Sequence, residues 1–206
     1  MTTLFRTTVL ALLPLTLLVA LTGCLSRPAL LQQTFALHGP AITNAPAVAS
    51  GRVLGLKAIE VSPLFEGRAL TYRTGPESYE LDPYASFLVD PARTIAIPLR
   101  AYLRNSGAFQ DVMEAGSPLV ADTFLQVHVS ELYGDFRPPG PPAAVLSLRL
   151  TFFRPGNSNQ PQVLLQKEYS RCVPLSQKTA AAVVGGWNQA LAEIMAGVVS
   201  DLAASR

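Results

Sequence analysis

Between Thr123 and Tyr133 apolar and polar residues take turns, with Leu125, Val127 and Val129 set against Gln126, His128 and Ser130. Successive side chains of a strand point to opposite faces, so this period of two predicts a strand with one face buried and the other wet. A second run puts Leu146, Leu148, Leu150 and Phe152 on one face and Ser147, Arg149 and Thr151 on the other. Val163 to Cys172 predicts a third strand. The joining segments are Arg137-Pro138-Pro139-Gly140-Pro141-Pro142 and Pro155-Gly156-Asn157-Ser158-Asn159. The first is too poor in backbone donors to enter a ladder, so the three runs are expected to form an antiparallel meander.

Helical signals flank that meander. Asp90-Pro91 supplies an N-cap and a proline at the first helical position, and Asn105-Ser106-Gly107 supplies a stop. Pro98 lies within this helix and removes one backbone donor, which predicts a kink or a late start. A longer helix is expected from Gln177 to Ala203, capped by Ser176, with Ala180, Val184, Trp187, Leu191, Ile194, Val198 and Leu202 on one stripe. Gly185-Gly186 interrupts it, and a glycine pair there suits close packing against a sheet or partner. Upstream, Thr34 to Leu37 and Arg52 to Val61 are candidate strands. Ala69 to Arg73 and Ser78 to Leu81 flank Thr74-Gly75-Pro76-Glu77 as a hairpin. The chain is therefore expected to be α+β, an antiparallel or mixed sheet of about five to seven strands packed against two main helices, the longer one C-terminal.

The first residues follow a different rule. Arg6 precedes an almost unbroken apolar stretch from Val9 to Leu21, the pattern of an export signal. It is shorter than the ~20 residues that a membrane-spanning helix needs, and it contains Pro14. Leu21-Thr22-Gly23-Cys24 fits a lipobox, in which an aliphatic residue and two small ones precede a cysteine that takes a diacylglyceryl group and then an N-acyl chain. Residues 1–23 are accordingly expected to be a removed signal peptide, 24–50 a lipidated tether with a candidate first strand, and 51–206 a single domain. Two or three acyl chains hold a protein stably where one is marginal. Leu25 stands where an Asp would favour inner-membrane retention, which points to the outer membrane with the domain in the periplasm.

Charge and chemistry narrow the function. The formal net charge is +2 for all 206 residues and falls to +1 when Arg6 leaves. Only 15% of residues are charged, well under the usual quarter, so nucleic acid is not an expected partner. After lipidation of Cys24 only Cys172 remains as a thiol, expected as a half-buried strand residue. His128 falls on a wet strand face and His38 in a linker, and Glu60, Glu66, Asp82 and Asp90 form no paired motif. No metal-ligand or nucleophile spacing is present, so neither a catalytic residue nor a metal site is expected, and no cofactor beyond the lipid on Cys24.

The run Val61-Ser62-Pro63-Leu64-Phe65-Glu66-Gly67-Arg68-Ala69-Leu70-Thr71-Tyr72-Arg73 resembles the start of the ABC-type transport auxiliary lipoproteins, the PqiC-like components of MCE lipid transporters. Thr34 to Leu37, the helix after Asp90-Pro91, and Leu103, Ser106, Gly107, Phe109 and Val112 extend the resemblance over most of the mature chain. It implies a non-catalytic lipoprotein that docks an MCE-domain protein and, through it, an ABC permease and ATPase, with phospholipid or sterol as candidate cargo. Tyr72, Arg73 and Arg137 are candidate partner-binding residues, since Tyr and Arg are enriched in binding hot spots. Strand packing and a solvated charge are the plain alternative for the first two. An outer-membrane assembly or scaffold lipoprotein for another envelope complex is the alternative function.

The N-terminal reading has a direct test. Protein drawn from membranes should begin at an acylated Cys24 by mass spectrometry, and Cys24→Ser should leave residues 1–23 attached.

Overall fold

The long strand predicted from the alternation at Thr123 is the axis of the molecule. In the computed structural model, which describes residues 31–40, 51–114, 116–117, 120–156 and 160–205, it runs further than expected, over Thr123–Asp135. The signal segment, Cys24 and residues 41–50 lie outside the described residues. In chain order the elements are β1 (Gln33–Phe35), β2 (Val53–Leu56), β3 (Glu60–Val61), β4 (Ala69–Arg73), β5 (Tyr79–Phe87), α1 (Pro91–Asn105), β6 (Asp111–Met113), β7 (Thr123–Asp135), β8 (Ala143–Arg154), β9 (Gln162–Pro174) and α2 (Ala180–Ala204).

On one side β7 pairs antiparallel with β8, and β8 with β9, forming the expected meander. On its other side β7 receives β2, β3 and β4 one after another, all parallel to it. β6 then adds to β2, while β5 adds to β4 and β1 to β5. The sheet is mixed and has nine strands, more than the five to seven expected. The difference lies in β3 and β6, two and three residues long. Segments that short contain no full alternation for a pattern to register. The stretch from Arg52 to Val61 is two strands rather than one, stepping along β7 with Lys57 N–H donating to Leu125 O at 2.9 Å between them.

Both helices lie on one face. Asp90 caps α1 as its side chain accepts from Arg93 N–H at 2.8 Å, and Pro91 is the first helical residue. The start is not late, and the helix continues through Pro98, which is buried and stands against Gly39, where a Cβ would come within 3.2 Å of Pro98 Cβ. Helix α2 begins at Ala180 rather than Gln177, because the Thr179 hydroxyl, not that of Ser176, accepts from Ala182 N–H at 3.2 Å. Its stripe of Val184, Trp187, Leu191, Ile194, Val198 and Leu202 is buried against the sheet, together with Val183, Ala190 and Met195. The Trp187 indole donates to Val145 O at 3.0 Å, so the largest buried side chain leaves no stranded donor. At the far end of α2, Lys167 Nζ and the Tyr169 hydroxyl of β9 both donate to Asp201, at 2.6 and 2.5 Å.

One residue changes which side chains meet those helices. Val129 pairs with Leu148 and Glu131 with Ser147, so Ser130 is an extra residue in β7, a bulge. Before it, Leu125, Val127 and Val129 face the helices; after it, Leu132 does. Tyr133, which continues the odd-numbered series in the sequence, is thereby turned to the opposite face.

The glycine pair of α2 separates two requirements. A Cβ on Gly186 would lie 2.5 Å from Ala144 Cβ and 2.8 Å from Leu175 Cδ2, whereas one on Gly185 would meet nothing. Gly186→Ala should therefore destabilise by about 1–3 kcal/mol through overpacking. Gly185→Ala should stabilise by up to about 1 kcal/mol through helix propensity. Urea unfolding of both variants checks the opposite signs.

Candidate functional site

The three candidate partner residues sit at one end of the sheet, where β4 and β7 run out together. Arg73 is in register with Asp135, and the next residue but one is Arg137. Adjacent residues in a strand point to opposite faces, and the structure divides Tyr72 from Arg73 accordingly. Tyr72 lies on the helix side, stacked on Phe136 at 4.8 Å between centroids, close to the α-carbon of Gly134. Its hydroxyl donates to Asp82 at 2.7 Å. Burial, then the Asp82 carboxylate, pushes the Tyr72 phenol well above its ordinary range, so it stays a donor at any physiological pH.

Arg73 lies on the face that carries no helix. Its guanidinium stands 5.6 Å from the ring centre of Tyr79 and 5.9 Å from that of Tyr133, within cation–π range. Nη2 donates to Pro76 O at 2.6 Å, while Nε is buried and makes no hydrogen bond among the described residues. Phe65 completes the aromatic group, stacked on Tyr133 at 5.7 Å and edge-on to Tyr79 at 6.0 Å. Phe65 and Tyr133 are buried although both are on the helix-free face, because the turn after β3 folds over them. The β7 bulge brings Tyr133 here, and a strict alternation gives no sign of it.

Arg137 is locked by Asp135. Its Nε donates to Oδ1 at 2.9 Å and its Nη2 to Oδ2 at 2.5 Å, a two-pronged pair closed by the Arg137 backbone N–H on Oδ1 at 3.2 Å. The Arg137 hydrogen bonds hold the Asp135 carboxyl below the usual carboxylate range. This pair forms one wall of a cleft of about 450 Å³ between the Thr74–Pro76 turn and the proline loop, with Pro138, Gly140 and Pro141 opposite. Stiff prolines and a charge pair make a shaped edge for a protein segment to meet. They do not make a nucleophile and base.

A second groove, about 570 Å³, runs between α1 and the Leu56–Ile59 segment. Its floor is apolar, and its charges are partnered: Arg93 with Asp90 at 3.4 Å, Arg100 with Glu114, and Lys57 over the Phe124 ring at 4.5 Å. Ile97 lines it and is 59% exposed.

The remaining singled-out residues are dispersed. His128 is on the helix-free face, Nδ1 3.9 Å from Glu60 Oε2. His38 is exposed after β1, its backbone N–H donating to Asn188 Oδ1 at 2.9 Å. Among the described residues no group of three or more His, Cys, Asp or Glu is arranged to hold a metal ion. Cys172 is exposed rather than half-buried. It pairs with Val145 on the helix-free face of β9, an edge strand with β8 as its only partner among the described residues, so no second layer covers it.

The depressed Asp135 carboxyl sets a sign for its pH dependence. A lowered folded pKa contributes stability above the unfolded value of about 3.9 and loses it as pH falls through the folded pKa. Asp135→Asn should therefore lower the urea midpoint at neutral pH, with the gap to the parent protein closing in acid. A gap independent of pH would contradict the assignment.

The fold built this way has relatives. The crystal structure of protein XCC0632 from Xanthomonas campestris superposes with a TM-score of 0.67 at 19% identity, over 84% of this chain and 93% of that one. A second crystal structure, of an uncharacterized protein, gives 0.60 at 18% identity over 82% and 99%. At these identities the likeness concerns the fold. No curated protein matches the chain. The family of the ABC-type transport auxiliary lipoprotein component matches residues 35–199, from β1 into the last turns of α2. The match covers β2 to β9, α1, most of α2 and the Arg73–Arg137 end, and the chain belongs to the ABC-type transport auxiliary lipoprotein family.

Proposed function

We propose that the protein is the non-catalytic, membrane-tethered accessory of an ABC/MCE-type lipid transport system and docks the transporter at the outer membrane. The observation that carries the reading is the family match over residues 35–199, whose description names a lipoprotein and an ABC-type transport system. The lipobox ending at Cys24 supplies the anchor, and Leu25 after it favours the outer membrane, with the domain in the periplasm. An MCE-domain protein would bridge from the permease and ATPase, and phospholipid or sterol would pass where bridge and lipoprotein meet.

The geometry supports docking rather than chemistry. One sheet face is closed by α1 and α2, and the other is left with paired surface charges such as Arg149 and Glu168, 3.8 Å apart. At its end the cleft beside Arg137 is walled by prolines whose conformation is already restricted, so a partner segment gains contacts there with little ordering cost. Arg137, more than Tyr72 or Arg73, is placed to meet a partner: its side chain is 38% exposed, whereas Tyr72 is engaged within the fold and Arg73 is held among the rings.

Affinity purification in mild detergent, through a tag after Arg206, tests this. The MCE protein, permease and ATPase should be recovered together, and Arg137→Ala should reduce their yield several-fold without changing the circular dichroism. Recovery of a different envelope complex would replace this reading with the assembly or scaffold alternative.

A further inference from the structure

Among the described residues the first half of β5 is an unpaired edge with an unusual surface. β1 pairs with it only from Ala85 to Phe87, which leaves Tyr79 to Tyr84 open on that side. Within those six residues Tyr79 is 40% exposed, Leu81 65% and Tyr84 47%, and Leu64 of the turn that carries Phe65 is 68% exposed. Tyr79 and Leu81 share the helix-free face, since they pair with Arg73 and Thr71 two residues apart on β4. Asp82 fixes the shape: its Oδ1 accepts from the N–H groups of Tyr84 and Ala85 at 2.8 and 2.9 Å, making the irregularity that turns Tyr84 outward. A cluster of exposed Tyr and Leu at one edge is not accounted for by folding.

The tether's path shows what lies nearby. β1 is parallel to β5, with Gln33 beside Ala85 and Phe35 beside Phe87. The start of β1 therefore lies at the Tyr84 end of the β1–β5 pairing. Cys24 precedes Gln33 by only nine positions, a reach of roughly 30 Å even when fully extended. A lipid anchored at Cys24 thus holds the bilayer within that distance of the Tyr84 end of β5. Tyrosine rings with an apolar body and a polar tip, flanked by leucine, are the side chains that settle at a membrane–water boundary. Charge does not supply the attraction, because Glu77 and Glu80 of the same hairpin offset Arg68 and Arg73.

We propose that the Tyr79, Leu81, Tyr84 and Leu64 edge rests on the surface of the bilayer to which the protein is anchored, and so fixes the orientation of the domain over the membrane. The proposal rests on the lipid anchor at Cys24. Contact is apolar and aromatic, so it is insensitive to salt and needs no anionic lipid.

The test uses full-length protein purified from membranes with its anchor, carrying Cys172→Ser and a fluorescent probe on Leu81→Cys, and inserted into phosphatidylcholine vesicles. A second probe, on Gln166→Cys of β9, reports the same face far from the edge. Emission at 81 should rise several-fold on insertion, be quenched by spin-labelled lipid and persist in high salt, while 166 stays unchanged. Equal exposure at the two positions, on protein that mass spectrometry finds acylated, would overturn the proposal and leave the anchor standing. Protein that is not acylated at Cys24 would overturn both. Shielding at 81 without vesicles that increases with protein concentration would assign the edge to a second copy instead.

Discussion

β7 shares backbone hydrogen bonds with four other strands, and one unpaired residue within it decides the layout of the whole molecule. A strand offers two edges, and here one is filled along its full length by β8 while the other is filled in sections by β2, β3 and β4. Without the extra residue at Ser130, the odd-numbered positions would face the helices from Thr123 to Asp135, and Tyr133 would compete with α2 for space. With it, Leu132 and Gly134 take the helix side. Gly134 there has no side chain to hold Val183 or the Tyr72 ring away; a Cβ would come within 3.0 and 2.9 Å of them. The displaced odd positions, Tyr133 and Asp135, become the centre of the aromatic and charged end that holds Arg73 and Arg137.

That displacement builds two different interiors from one strand. On the helix side the core is continuous, with Leu125, Val127 and Val129 in one cluster with Trp187, Leu191 and Ile194, all at or near complete burial. Burying a side chain such as Leu or Val contributes on the order of 1.5–3 kcal/mol, and this layer has most of them. The opposite face is held locally. Phe65 folds over Tyr133, Ser147 Oγ donates to Glu131 at 2.6 Å, and the rest meets water. A sheet packed on one face only leaves the other available for contact.

Much of this was legible beforehand where a pattern was long enough to have a period. The meander was set by three alternating runs, and α1 by Asp90-Pro91. α2 was set by a stripe of seven residues, although its start moved to Thr179 because either of two hydroxyl residues can cap and only three-dimensional geometry chooses. β3 and β6 escaped because two or three residues carry no alternation, and because parallel pairing with β7 or β2 joins parts of the chain far apart in sequence. The bulge was missed although the pattern changes phase there: Glu131 is charged where the odd series calls for an apolar residue, and Leu132 is apolar at an even position. Tyr72 and Arg73, neighbours in β4, stand on opposite faces, as adjacent residues of a strand do. The Asp135–Arg137 pair did leave a signal, opposite charges two residues apart on one strand face, and it was the proline loop rather than this pair that drew attention to Arg137.

The edge strands follow the same physics to a different end. An exposed edge presents unpaired backbone groups and invites unplanned pairing. β9 has 13 residues and, among the described residues, a free side, yet its helix-facing side chains are tied to α2 through Asp201 and Glu193, the latter accepting from Arg171 at 3.0 Å. Such anchoring holds the strand on its own domain and keeps its twist set by the helix beneath. The open half of β5 is protected differently, by the Asp82 turn that bends it out of line and by Pro83, which has no N–H to offer an incoming strand. The side chains left outside at that bend include Leu81 and Tyr84. Backbone pairing is thus disfavoured at the same place where apolar contact is favoured, a combination that fits a smooth apolar surface better than another strand.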